Sequence, residues 1–339
     1  MNTFAVTKKE LLPDNAARKI FGLIKNEMAL VEAEFERQAR SNIQVIDYLG
    51  DYLRSSGGKR VRPALLILSH SCIGGTPGSD SVIRLATVME MLHTATLVHD
   101  DIIDNADLRR NRPSVNAKFG NQAAVLMGDW LYMSAFETSL RERSLEILDI
   151  LTRLTRKMTE GELIQLTMIG NVDITREDYF DILRRKTAYL FSGCCEIGAI
   201  IGKAARDQQE ALREYGMNLG IAFQLADDLL DLTSDDVTLG KKAGSDLIEG
   251  KITMPLILLA EIEPSIKHLL EEIMAAGFYP ESSKDRLDAL FASNGIQRQT
   301  REIAVEYAER ARKNLEVLPK SEYRTALESI PNYVIDRNK

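Results

Sequence analysis

Leu97-Val98-His99-Asp100-Asp101-Ile102-Ile103-Asp104 closes a long apolar stretch that begins near Ser81. At 3.6 residues per turn it reads as the end of a helix, with Asp100 and Asp104 on one face and Asp101 beside them. Like charges spaced i and i+4 weaken a helix, and partial burial between aliphatic neighbours raises the cost. A solvated acidic helix end accounts for one such cluster; a cation held between the carboxylates accounts for it equally. Only oxygen ligands are on offer, so that ion would be hard, with Mg²⁺ the natural choice. Mg²⁺ shares itself with substrate phosphates, so the reading turns on whether the chain offers a phosphate site.

The acidic pattern returns in Phe223-Gln224-Leu225-Ala226-Asp227-Asp228-Leu229-Leu230-Asp231. Two copies among aliphatic residues argue for two helices facing each other across a shared metal cluster. Basic residues supply the phosphate side. In Gly57-Gly58-Lys59-Arg60-Val61-Arg62-Pro63 two glycines let the backbone approach a ligand, three cations follow, and Pro63 suits the first turn of a helix. Arg109-Arg110-Asn111-Arg112 follows the first aspartates, Lys186-Thr187 interrupts an apolar helix, and Lys241 and Lys251 flank a Gly-rich loop after the second acidic cluster. That loop reads as a flap over phosphates or as an ordinary connection. His93 reads equally as a core histidine or as a ligand.

Nearly everything else has helical periodicity. Apolar spacing predicts helices over 17–39, 64–71, 81–104, 123–140, 145–168 and 179–190, the last opened by a cap at Thr175-Arg176-Glu177-Asp178. No alternating strand pattern persists. The 339 residues, 45% of them hydrophobic, suffice for a large core. They are expected to form one domain over 1–339, with an N-terminal helix over about 1–40 and packing helices over 256–339. A net charge of −7 argues against a general nucleic-acid binder. Cys72, Cys194 and Cys195 are odd in number and lack C-x-x-C spacing, so they read as core residues of a cytoplasmic protein. The N-terminus lacks a basic-then-apolar signal pattern, Asp129 and Glu196 break the most apolar windows, and no membrane span is expected.

These motifs, in this order over about residues 40 to 260, resemble the all-trans polyprenyl diphosphate synthases, and the long-chain members (octaprenyl, heptaprenyl, solanesyl) in particular. The resemblance implies an all-α antiparallel bundle around a deep central cavity, normally a homodimer. It implies a prenyltransferase that condenses isopentenyl diphosphate head-to-tail with an allylic diphosphate, farnesyl or geranyl. Asp100, Asp104, Asp227 and Asp231 would hold Mg²⁺, three ions with the allylic diphosphate bound, while Asp101 and Asp228 would stand behind them. Arg109, Lys186, Gln224, Lys241 and Lys251 would contact the allylic diphosphate. Lys59, Arg62, His93 and Arg110 would hold isopentenyl diphosphate. Thr187 and Gln224 would offer lone pairs to the developing cation, with Lys186, Thr187 and Gln224 as the catalytic set. Asn111, Trp130 and Met254 depart from the usual Gly, Phe and Leu without removing a charged ligand.

Ala95 and Thr96, one turn before Asp100, would form an open gate for the growing chain. Met91 or Leu92 below them, or Leu126, Trp130 or Met133 opposite, would set the floor. The expected product is C35–C45, octaprenyl diphosphate foremost, for quinone side chains, with a short-chain product as the alternative. Each added isoprene unit buries about 4 kcal/mol of apolar surface, so transient membrane contact on release is expected. A terpene cyclase would replace the second D-D-x-x-D with a mixed Asn, Ser and Glu motif and has no use for Lys59, Arg62 and His93. A non-catalytic regulatory subunit would be expected to have lost motif aspartates, and all six are present.

Overall fold

The computed structural model describes residues 15–55, 57–110, 112–233 and 244–335. Among them the chain is almost entirely helical. Helices α1 (Asn15–Leu23), α2 (Lys25–Ala39) and α3 (Gln44–Arg54) lead into α4 (Val61–Cys72) and α5 (Asp80–Ile103). After a two-residue antiparallel ladder, Leu108–Arg109 against Arg112–Pro113, come α6 (Val115–Phe119), α7 (Asn121–Ser139), α8 (Leu145–Met168) and α9 (Arg176–Leu183). Then follow α10 (Tyr189–Ile201), α11 (Arg206–Thr233), α12 (Ser245–Ile248), α13 (Met254–Ile262), α14 (Ile266–Ala276), α15 (Glu281–Ser293), α16 (Ile296–Asn314) and α17 (Glu322–Ile335).

Packing centres on α10, which touches α4, α5, α8 and α11. Leu190, Phe191, Cys194, Cys195, Ile197 and Ala199 are all buried there. Small residues allow this density. A Cβ on Gly198 would stand 2.5 Å from the Leu66 carbonyl oxygen, and one on Gly220 of α11 would stand 2.6 Å from Ala188 Cα. One apolar cluster joins α4, α5, α7, α8 and α10; a second joins α9, α13, α14 and α16 against α11. The three cysteines are free and buried.

The helix over 17–39 is broken: Ile24 leaves helical geometry at φ −122° and ψ 22°, dividing α1 from α2. The helix expected over 179–190 is also divided, because Arg184–Ala188 forms a π-helical turn between α9 and α10. The cap at Thr175 forms as a reciprocal box with Asp178. By length and composition α5 could cross a membrane, although most of it is buried inside the bundle. The apolar windows around 123–136 and 188–204 do not reach that threshold among the described helices.

Candidate active site

Three aspartates at the end of α5 meet three fates. Asp101 is buried, and its carboxylate accepts Arg109 Nε at 2.8 Å and a second guanidinium nitrogen. Asp104 accepts Lys251 Nζ at 2.8 Å, and the same ammonium reaches Glu249 at 2.7 Å. Burial lowers the affinity of Lys251 for its proton, but the charges of Asp104 and Glu249 outweigh it and hold the ammonium well above its usual range. Asp100 goes the other way: burial, then the nearby Glu162 carboxylate, push it up despite Lys186 and Arg109. A carboxylate in that position gains from any added cation.

On α11, Asp228 is buried and accepts Tyr179 Oη at 2.6 Å and Gln224 Nε2 at 2.8 Å; burial lifts it to about 7. Gln224 Oε1 accepts the Thr187 hydroxyl at 2.9 Å. Asp231, also buried, accepts Ser245 Oγ at 3.3 Å and the Asp246 amide at 3.2 Å, so it holds the start of α12. Among the described residues no three acidic, histidine or cysteine side chains gather closely enough to hold a metal by themselves. An ion completed by substrate oxygens is compatible with that spacing.

Between the two acidic segments stands the π-helical turn, where the Tyr189 amide donates to the Arg184 carbonyl. Such turns concentrate at functional sites. Gly161 lets α8 approach it, since a Cβ there would lie 2.7 Å from Arg185 Cβ. Lys186 Nζ consequently reaches Glu162 at 2.7 Å and Gln165 Oε1 at 2.8 Å, close enough to Asp100 to lower its pKa. Lys186 thus acts on the first acidic segment through its charge, while its neighbour Thr187 is hydrogen-bonded through Gln224 to Asp228 in the second.

The basic segments also converge. Gly57 and Gly58 have φ of 68° and 157°, and a Cβ on Gly58 would stand 2.8 Å from Arg110 Nη1. Tyr52 Oη donates to the Pro113 carbonyl at 2.6 Å and Arg112 Nη1 to Ser55 Oγ at 2.9 Å, fastening the hairpin to this loop. Arg62 Nη1 donates to His93 Nε2 at 2.9 Å, while the buried Arg62 Nε has no hydrogen-bond partner among the described residues. Burial, then Arg62, Arg110 and Arg109, hold His93 far below 6.5 and keep it neutral. Lys59 is exposed on the same loop. Arg60, inside the motif, turns inward with φ 49° to pair with Glu32 at 2.5 Å and Glu90 at 2.6 Å.

Ala95 is fully buried and Thr96 half-buried, its hydroxyl donating to the His93 carbonyl at 2.8 Å; Met91 and Leu92 below are fully buried. Leu126 and Met133 are 67% and 63% exposed, so neither closes a floor within this chain; Trp130 is half-buried. Lys241 and Asn111 lie outside the described residues. Tyr179, Glu162, Gln165 and Glu90 belong to none of the motifs read from the sequence. The one local sign of the close approach of α8 is Gly161, whose missing side chain leaves room for Arg185 and the Lys186 backbone.

The sequence model of the family described as Polyprenyl synthetase matches residues 43–291. Octaprenyl diphosphate synthase of Escherichia coli (strain K12) is 36% identical over 95% of this chain and 99% of its own length. Geranylgeranyl diphosphate synthase of Methanosarcina mazei is 35% identical over 84% of this chain and 88% of its own. A crystal structure of polyprenyl synthase from Caulobacter crescentus CB15, complexed with calcium and isoprenyl diphosphate, superposes with a TM-score of 0.89 at 34% identity, covering 95% of this chain and 98% of that one.

Proposed function

Since the chain belongs to the polyprenyl synthetase family of prenyltransferases, we propose that it makes a long all-trans prenyl diphosphate of about C35–C45, octaprenyl foremost, from isopentenyl diphosphate and farnesyl or geranyl diphosphate. The general family reaction is the Mg²⁺-dependent condensation of isopentenyl diphosphate with an allylic diphosphate. The observation that carries the reading is the π-helical turn, whose Lys186 charge acts on Asp100 and whose Thr187 is hydrogen-bonded through Gln224 to Asp228, together with the Arg62–His93 pair.

Asp100 and Asp104 from α5, and Asp227 and Asp231 from α11, would hold Mg²⁺, three ions once the allylic diphosphate is bound. Bound there, Mg²⁺ would neutralise the charge that collects on the diphosphate as the carbon–oxygen bond breaks. Lys186, Arg109, Lys241 and Lys251 would grip the same diphosphate, with Lys251 exchanging Asp104 for a phosphate oxygen. Lys59, Arg62, neutral His93 and Arg110 would orient isopentenyl diphosphate, and the orphaned Arg62 Nε is a donor ready for an oxygen. The double bond then attacks the allylic carbon, and the departing diphosphate takes the proton released. Thr187 would face the developing positive charge with an oxygen lone pair.

The long product is supported by Ala95, the smallest side chain of its turn on α5. A homodimer is supported by Leu126 and Met133, one apolar face of α7 turned outward. Cytoplasmic location and brief membrane contact during product release belong to the same proposal. The deciding experiment supplies the purified chain with Mg²⁺, farnesyl diphosphate and labelled isopentenyl diphosphate, then separates the dephosphorylated products by length. A C35–C45 series is expected. C20 alone would replace the long-chain reading with the short-chain one, and cyclised hydrocarbon or no product would overturn the synthase.

A further inference from the structure

Tyr179 stands in the first turn of α9, and its place is set locally. The box between Thr175 and Asp178 fixes the helix start, and the Tyr179 amide donates to the Thr175 carbonyl at 3.0 Å. The side chain is only 6% exposed, and its ring packs edge-on to Phe180 at 5.5 Å. Its hydroxyl crosses to α11 and donates to Asp228 Oδ2 at 2.6 Å.

From there the hydrogen bonds run in one direction only. Asp228 Oδ1 accepts the Gln224 amide nitrogen at 2.8 Å, which turns Gln224 Oε1 away from Asp228. That oxygen accepts the Thr187 hydroxyl at 2.9 Å. A threonine hydroxyl has one proton and two lone pairs. With the proton committed to Gln224, the lone pairs are what Thr187 offers on its other side. Were Gln224 free to flip, its amide would donate to Thr187 instead, and the hydroxyl proton would be free to face the reacting carbon. A buried network with every partner in place resists that flip.

We propose that Tyr179 is a positioning residue: by clamping Asp228 it fixes the Gln224 amide and, through it, aims a Thr187 lone pair at the carbon that becomes cationic. This rests on the roles given above to Thr187 and Gln224.

Tyr179→Phe removes one oxygen and keeps the ring. Losing a hydrogen bond to a charged group typically costs about 10–150-fold, so kcat should fall at least about tenfold while both KM values stay within about twofold. Because Tyr179 acts through Thr187, adding Tyr179→Phe to Thr187→Val should slow the enzyme by less than about twofold more. A purely structural tyrosine would lower Tm and multiply its effect onto that of Thr187→Val. Unchanged kcat in Tyr179→Phe, or multiplicative effects, overturns the relay. If Thr187→Val alone leaves kcat unchanged, the role of Thr187 falls and the relay with it; if Thr187→Val is slow and Tyr179→Phe is not, only the relay falls. Should Tyr179→Phe not fold, 3,5-difluorotyrosine placed at 179 keeps ring and hydroxyl while altering donor strength. A changed kcat there supports the clamp, and an unchanged one overturns it.

Discussion

Lys251 Nζ lies 2.8 Å from Asp104 Oδ1, joining the end of α5 to the segment before α13 across 147 positions of chain. The pair is mostly shielded from solvent, so its partners compete in earnest: a metal arriving at Asp104 must displace the ammonium, and a phosphate can receive it. Lys251→Ala should raise KM for the allylic diphosphate about tenfold or more, the worth of one charge-assisted hydrogen bond at about 1.5–3 kcal/mol. It should also lower the Mg²⁺ concentration giving half-maximal rate. Titrating both ligands checks the pair of effects, and movement of neither would mean the contact is only structural.

The basic loop and the hairpin meet at Gly58 and Arg110. Lys59→Ala and Arg110→Ala should therefore weaken isopentenyl diphosphate more than the allylic primer, by about 10-fold or more in KM at 1.5–3 kcal/mol per contact. Steady-state kinetics with each substrate varied in turn gives the comparison. Equal weakening of both would contradict two separate diphosphate pockets.

His93 stays neutral when folded because burial and four arginines oppose its charge. In the unfolded chain it protonates near 6.5. Between that value and its much lower folded pKa, only the unfolded chain gains the proton, so this part of the stability is complete above pH 6.5 and is lost as the pH falls. His93→Gln removes the effect. The stability difference between the two proteins should move in favour of His93→Gln by about 1 kcal/mol between pH 7.5 and 5.5. Urea unfolding at both pH values measures it, and a pH-independent difference would show that His93 titrates normally.

Ala95 is fully buried on α5, above Met91 and Leu92. If the growing chain runs past it, Ala95→Phe should shift the product towards C15–C20 without weakening either diphosphate. If Ala95 serves helix packing instead, overfilling should cost about 1–3 kcal/mol of stability. Product chromatography beside a thermal melt separates the two, and a folded, active variant that still makes the parent's product contradicts the gate.

The helical architecture was legible because apolar spacing is a local signal: α5, α7 and α8 lie within two residues of the ranges read from periodicity. The break at Ile24 was not legible, since Gly22, two residues before it, sits within an unbroken apolar spacing and no proline follows. Nor was the π-helical turn at Lys186, because one extra residue in a turn barely disturbs an apolar pattern. Repeated aspartates and clustered cations marked chemistry by their types. The partners of those side chains were hidden. Glu162 reaching Lys186, Tyr179 reaching Asp228 and Glu90 reaching Arg60 are contacts between distant segments, and ordinary-looking residues make them. Arg60 shows the limit well: it shares a motif with Lys59 and Arg62, yet it turns inward to two glutamates.

The proposed chemistry requires the two acidic segments to serve one reaction. Asp100→Ala and Asp227→Ala, each confirmed folded by circular dichroism, should be compared with the parent in a single turnover of farnesyl and labelled isopentenyl diphosphate with saturating Mg²⁺. Each should lose at least about a thousandfold in the rate of carbon–carbon bond formation, the scale on which lost stabilisation of developing charge is felt. Near-normal turnover in either variant would mean that the two segments do not share one reaction centre.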